Sequence, residues 1–314
     1  MSALPTRPLG ASALKVSVVG LGCNNFGRRL DVSGTRTVVD ACLDQGVTFF
    51  DTADIYGRGA SEEYLGEVLE GRRDQVVLAT KFGMDMGDGK GPRGSRDYIL
   101  DAAEASLRRL RTDVIDFYWY HRPDGETPIA ETLGALNELV QAGKVRAIGA
   151  SNFDAEQLRA ADAAARENGL TPFTAVQNEY SLLVRDPERD VLPVCRELGL
   201  SFVPYFPLAS GLLTGKYRRG EAGPEGARLS GRDEIATDAQ FEQIDALQRF
   251  AEGRDIPLTD VAIGALLVDE TVASVIAGAT KPEQVASNAA AARWQPSDDD
   301  LSALREVLGP VPAA

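Results

Sequence analysis

Val114-Ile115-Asp116-Phe117-Tyr118-Trp119-Tyr120, then Ile129 to Ala142 stopping at Gly143, then Val145-Arg146-Ala147-Ile148-Gly149-Ala150: this run is the key to the architecture. Both outer segments are largely apolar on successive residues, as in strands covered on both faces. The middle segment is helical in pattern and ends at a C-cap glycine. A strand, a crossover helix and a second such strand make a parallel βαβ unit. The same alternation runs outward in both directions. Further strands are read at Val16 to Leu21, Thr48 to Asp51, Val76 to Thr80, Thr174 to Gln177, Ser201 to Tyr205 and Val272 to Ala277. Helices are read at Ser33 to Asp44, from Ser61, at Ser95 to Leu110, Asp154 to Asn168, Arg189 to Leu198, Pro282 to Ala292 and Ser297 to Leu308. Strand starts fall roughly 27 to 40 residues apart up to the seventh, the length of one βα unit. The last interval is roughly twice that unit, and its excess lies partly in Phe206 to Asp238, rich in Gly and Arg and read as a long loop or lid. A doubly wound open sheet and a closed (β/α)8 TIM barrel both fit alternating elements, and eight units favour the barrel. Arg7 to Lys15, centred on Gly10-Ala11-Ser12, is expected to form an N-terminal β-hairpin outside it, and the last helix is extra to it. With no linker or low-complexity tract, residues 1–314 read as a single domain.

In such a barrel, reactive groups sit where strands run into the following loops. The second strand ends at Asp51, with Tyr56 five residues on; the third runs into Lys81; the fourth runs into His121, the one histidine of the chain. Each alone has an ordinary structural explanation, but adjacent strands deliver all of them to one end. A phenol of pKa about 10 is a poor proton donor near neutrality. A neighbouring ammonium favours its ionised form and lowers that value, and a carboxylate holds the ammonium charged. The set suits protonation of an oxygen that gains negative charge as hydride reaches a carbonyl carbon. It lacks a nucleophile paired with a base, so acyl transfer is not implied.

Seven ordered segments then carry a resemblance over nearly the whole chain: Phe49-Phe50-Asp51-Thr52-Ala53-Asp54-Ile55-Tyr56-Gly57, Ala79-Thr80-Lys81, Tyr120-His121-Arg122-Pro123-Asp124, Gly149-Ala150-Ser151-Asn152-Phe153, Gln177-Asn178-Glu179-Tyr180-Ser181, Pro207 to Lys216 and Gly278 to Gln284. The sequence resembles the aldo-keto reductase superfamily. That resemblance implies a (β/α)8 barrel, NADPH-dependent reduction of aldehydes or ketones, and a catalytic tetrad at Asp51, Tyr56, Lys81 and His121. It also implies cofactor contacts: Ser151, Asn152 and Gln177 at the nicotinamide carboxamide, and Tyr205 stacked on the ring. Leu208, Ser210 and Gly211 would lie at the pyrophosphate, and Gly278, Thr280, Gln284 and Asn288 at the adenosine. Cys23 and Asn24 are expected to face the cofactor. Phe206 stands where a serine is frequent and Gln284 where many members have an arginine, so Lys281 or Lys216 would supply charge for a 2′-phosphate and NADH is an alternative to NADPH. Asn24, Tyr56, Phe82, Trp119, His121 and Arg122 are expected near a small carbonyl substrate, with Gly83 to Gly94 covering the pocket.

Rival readings are weaker. Val18-Val19-Gly20-Leu21-Gly22-Cys23-Asn24-Asn25 opens like a dinucleotide-binding G-x-G-x-x-G, but Asn25 stands at the third glycine. A metal-dependent barrel hydrolase needs more ligands than one histidine offers. A cofactor-binding regulatory or scaffold subunit is the alternative, since some similar proteins serve as channel β-subunits; the intact tetrad favours turnover. With 33 basic and 47 acidic residues, the net charge of −14 argues against nucleic acid and against a polybasic membrane anchor. Val261 to Val268 and similar apolar runs are far short of the roughly 18 residues that span a bilayer. Met1 to Pro5 lacks the start of a secretory signal. Three scattered cysteines form neither a disulfide framework nor a zinc site, and the cytoplasm is the expected location.

Overall fold

A computed structural model describes residues 4–221, 223–225, 227–230 and 235–311. The chain runs β1 (Thr6–Pro8), β2 (Lys15–Ser17), β3 (Val19–Gly22), α1 (Val32–Asp44), β4 (Phe49–Asp51), α2 (Ala60–Val68), β5 (Val77–Phe82), α3 (Arg96–Leu110), β6 (Ile115–Tyr120) and α4 (Ile129–Gln141). It continues with β7 (Val145–Ser151), α5 (Ala155–Asn168), β8 (Ala175–Gln177), α6 (Val191–Leu198), β9 (Ser201–Phe202), α7 (Asp238–Glu252), α8 (Leu258–Leu267), β10 (Val275–Gly278), α9 (Pro282–Ala291) and α10 (Asp298–Leu308). Eight strands pair in the order β10-β3-β4-β5-β6-β7-β8-β9, all parallel. Parallel bridges Phe202 to Val272 and Tyr205 to Ile276 join the two ends of that sheet, so the (β/α)8 barrel closes.

Alternation along each strand divides the apolar residues between two cores. Phe49, Ala79, Phe117, Trp119, Ala147, Ala175, Val203 and Ile276 fill the interior, and their neighbours pack outward under the helices. The interior is full enough to dictate glycine. A Cβ on Gly20 would stand 2.5 Å from Ile276 Cδ1 and 3.0 Å from Phe49 Cδ1. That explains the glycine which, read alone, resembled part of a dinucleotide-binding loop.

The hairpin β1–β2 plugs the N-terminal mouth. Leu9 and Val16 join the interior cluster, and Arg7 caps the chain before β10 by donating to the carbonyls of Leu267 (2.7 Å), Asp269 (3.2 Å) and Val272 (2.6 Å). The expected first strand, Val16 to Leu21, is therefore two: the chain leaves the hairpin at Ser17 and enters the barrel at Val19. The long interval before β10 holds α7 and α8, helices absent from the expected element list. In the expected lid, residues 222, 226 and 231–234 lie outside the described residues, as do residues 1–3 of the N-terminal reading and 312–314 of the single-domain reading. The extra C-terminal helix α10 packs on α7, and Arg254 Nε donates to Asp300 Oδ1 at 2.6 Å. Among the described residues, no helix is long and apolar enough to cross a membrane, no group of acids, Cys and His could hold a metal, and all three cysteines are free and buried.

Candidate active site

Parallel strands all present their C-terminal ends to one mouth. Gly22 ends β3, Asp51 ends β4, Ser151 ends β7, Gln177 ends β8 and Gly278 ends β10; Lys81 lies one residue before the end of β5 and His121 one residue after β6. A cavity of about 920 Å³ opens there, running from Gly22 round to Asn288.

Lys81 is the centre of the site. It points inward on β5 in register with Trp119, and its Nζ is fully buried. An ammonium has three hydrogens, and three acceptors surround this one: Asp51 Oδ2 at 2.5 Å, the Thr52 carbonyl at 2.9 Å and the Tyr56 hydroxyl at 3.5 Å. The other Asp51 oxygen accepts from Gln177 Nε2 at 3.1 Å, which fixes the carboxylate plane. Tyr56 is delivered by a turn at positive φ, 59° at Gly57, 56° at Arg58 and 95° at Gly59. His121 meets the Tyr56 ring edge-on, centroids 6.0 Å apart. The four expected residues thus come together.

Electrostatics sort their protons. Burial raises the Tyr56 pKa above its usual 10.0; Lys81 opposes this and Asp51 adds to it. Lys81 does lower the Tyr56 pKa as expected, but desolvation outweighs the ammonium, so the net shift is upward and Tyr56 stays protonated. Lys81 is itself raised, because Asp51 and Tyr56 together outweigh its desolvation. His121 falls to about 3, first from burial and then from the charges of Lys81 and Arg122. Between pH 6.5 and about 3 the unfolded chain binds a proton here that the folded chain refuses. Stability present above pH 6.5 is therefore lost progressively as the pH falls toward 3. As the only histidine, it gives one imidazole signal set in nitrogen-detected NMR. Those shifts should stay at the neutral-imidazole values from pH 8 down past the ordinary midpoint of 6.5, and a midpoint near 6.5 would contradict the burial of this ring.

Beside Tyr56, the Asn152 carboxamide accepts from the Tyr205 hydroxyl at 2.8 Å and donates to the His121 carbonyl at 2.9 Å and to Ser151 Oγ at 3.1 Å. This locks three strand ends together. Asn152 sits at φ 59°, a conformation asparagine tolerates better than most residues. Asn24, Leu208, Ser210, Gly211, Lys216, Gly278, Thr280, Gln284 and Asn288 all line the cavity. Gly211 is at φ 97°, where a Cβ would meet Lys216 Nζ at 2.8 Å. Gln284 accepts from the Thr280 amide at 2.7 Å, closing the turn into α9.

Three expected contacts fall elsewhere. Cys23 is buried in the outer core with its thiol on the Leu21 carbonyl, not facing the cavity. Phe82 follows the inward Lys81 and so points outward, stacked on Tyr120 with centroids 5.0 Å apart. Trp119 does point inward but is fully buried within the barrel core and absent from the cavity wall. Of Gly83 to Gly94, Met84 reaches the wall. Conversely, the wall includes Arg28, Arg29, Ile55, Arg228, Thr259 and Ser287, which the sequence reading did not single out. Arg228 lies over the Phe206 ring, 4.5 Å from its centroid, so the segment after β9 folds onto this mouth. Lys281 is not on the wall; Lys216 is. Asp54, three residues after Asp51, sits behind the site beside Glu62 and Arg109, its pKa raised to about 7 by burial and then by Glu62.

Comparison with known proteins agrees with this geometry. A protein of Arabidopsis thaliana described as "Probable voltage-gated potassium channel subunit beta" is 35% identical over 294 residues, covering 90% of this chain and 89% of its own. A protein of Oryza sativa subsp. japonica with the same description matches at the same identity and coverage. The sequence pattern of the Aldo/keto reductase family matches residues 18–308. With its closed barrel and the converged strand ends, the chain belongs to the aldo/keto reductase family.

Proposed function

We propose that the protein reduces aldehydes or ketones to alcohols with NADPH, Tyr56 giving the proton. One observation carries the reading. The Tyr56 hydroxyl accepts from an ammonium whose other donors are taken by Asp51 and Thr52, so its own hydrogen is left for an acceptor in the cavity it lines. The wall fits an extended dinucleotide. Asn24 Oδ1 is buried there without a partner among the described residues, and Gly278 leaves open the space beside Asn24 and Asn25. Ser151, Asn152 and Gln177 would hold the carboxamide and Tyr205 the ring. Lys216, Arg29 and Arg228 line the same wall and bring positive charge suited to a dinucleotide's phosphates, and the choice of NADPH over NADH rests on the family.

Bound reduced nicotinamide supplies the hydride. Tyr56 donates its proton to the carbonyl oxygen and is left as phenolate beside the Lys81 ammonium, which stabilises it until water at the mouth restores the proton. Neutral His121 orients the carbonyl oxygen without competing for the proton. Free buried thiols fit the reducing cytoplasm. The test is loss of reduced-nicotinamide absorbance with a panel of aldehydes, run with both cofactors. Turnover with a lower Michaelis constant for NADPH is expected; a clear NADH preference would overturn the cofactor assignment, and binding without turnover the activity.

The names of the plant relatives favour a second reading, a regulatory subunit of a potassium channel. Tight NADPH binding with no turnover across the panel, together with co-purification with channel subunits, would move the assignment there.

A further inference from the structure

The chain carries an excess of acid, 47 against 33, yet its cavity wall reverses the balance. Arg28, Arg29, Arg122, Lys216 and Arg228 face Asp51 and Glu283 there, and Asp51 is already paired with Lys81. The cations fall into two groups. The Lys216 pKa is lowered by burial and by Arg29, so these two are neighbours, and Arg228 covers Phe206 beside them. That group lines the side built by the segment after β9.

Arg122 stands apart. It follows His121 directly, and its charge is felt at both His121 and Tyr205, which follow β6 and β9 at the reacting mouth. It makes no hydrogen bond or ion pair among the described residues, in a chain where arginines are widely paired with carboxylates. The acid nearest in sequence, Asp124, is committed elsewhere: it accepts from the amides of Gly94, Glu126 and Thr127 and from Thr127 Oγ1, and sits at about 2. Glu179, which also acts on Tyr205, is not bonded to Arg122. The same wall that holds Arg122, His121 and Tyr56 also includes apolar Ile55 and Met84.

We propose that Arg122 selects substrates in which the carbonyl is joined through a short apolar spacer to a carboxylate, the guanidinium holding the carboxylate while the carbonyl oxygen faces Tyr56 and His121. The inference rests on the reductase reading and adds the substrate class. A planar guanidinium takes a carboxylate through two parallel hydrogen bonds, a geometry a lysine ammonium cannot copy.

The test compares benzaldehyde with 4-carboxybenzaldehyde. The wild type should favour the carboxylated aldehyde in kcat/KM by about 10-fold or more, as for a charge-assisted contact, with the advantage in KM and shrinking as salt rises. In Arg122→Met the ratio should fall to about one, and Arg122→Lys should restore only part of it. Equal efficiency on the two aldehydes in the wild type overturns the inference while leaving the reductase reading intact. A ratio lost in Arg28→Met but kept in Arg122→Met also overturns it, by moving the contact to another cation of the wall. A wild type that reduces neither aldehyde fails the reductase reading instead. Calorimetry on protein loaded with NADP+ tests the contact without turnover: 4-carboxybenzyl alcohol should bind more tightly than benzyl alcohol, and only while Arg122 is present. Equal binding overturns the inference.

Discussion

Tyr56→Phe should lower kcat for aldehyde reduction by about 10²–10⁴-fold, the range for loss of a positioned general acid, while the affinity for NADPH stays unchanged. The substitution removes one oxygen. The ring, its edge-on contact with His121 and its place under the Lys81 ammonium remain. Because burial holds the phenol above pKa 10.0, the proton to be given is present throughout the physiological range. Reduction by the wild type should therefore stay flat in pH up to the alkaline limb. The reverse oxidation needs the phenolate, so it should rise with pH. Stopped-flow hydride transfer in both directions checks the pair of statements. A Phe variant reducing aldehyde at the normal rate would sink the role given to Tyr56.

Much of this site was legible because parallel strands impose a simple rule: their C-terminal ends all open at the same mouth. Asp51, Lys81, His121, Ser151 and Gln177 obey it, and the chain order of their motifs sufficed to gather them. The failures come one residue away. Phe82 directly follows Lys81, and the pleat sends it to the helices; Cys23 directly follows Gly22, which lines the cavity, and turns into the outer core. Trp119 has the right parity but the wrong height, one step below His121 in the stack. Helix α8 was not read because its faces are nearly all buried: Leu258, Val261, Ala262, Ile263, Gly264, Leu266 and Leu267 leave no periodic polar side. Arg28, Arg29 and Arg228 escaped for a different reason. They lie on loops, and their approach to the mouth depends on contacts such as Arg228 on Phe206, which no local pattern encodes.

The sign of the Tyr56 shift was also beyond sequence. The identity of its charged neighbours was readable, but the depth at which they sit was not, and desolvation is the largest influence. Neutral His121 follows from the same cause. A site that keeps its acid protonated and its imidazole uncharged does so by excluding water, with one buried ion pair as the fixed point.

That ion pair sets the second large effect. Lys81→Met preserves most of the side-chain volume but removes every donor. Asp51 Oδ2 and the Thr52 carbonyl lose their partner in a site where Asp51 is only 2% exposed. Deleting one member of a buried pair leaves an uncompensated charge and costs about 3–5 kcal/mol. For a chain of this size, melting should fall by about 5–15 °C. Turnover should fall by about 10²-fold or more, since the phenolate formed on proton donation loses the ammonium that stabilises it. The double variant Asp51→Asn with Lys81→Met separates the two consequences. It removes the stranded charge, so most of the lost melting temperature should return, whereas kcat should not recover. A single variant that melts with the wild type would mean that Asp51 finds water or another donor, and that Lys81 does not hold the site together. A double variant that regains activity would mean that the ammonium serves the fold and leaves the phenol untouched.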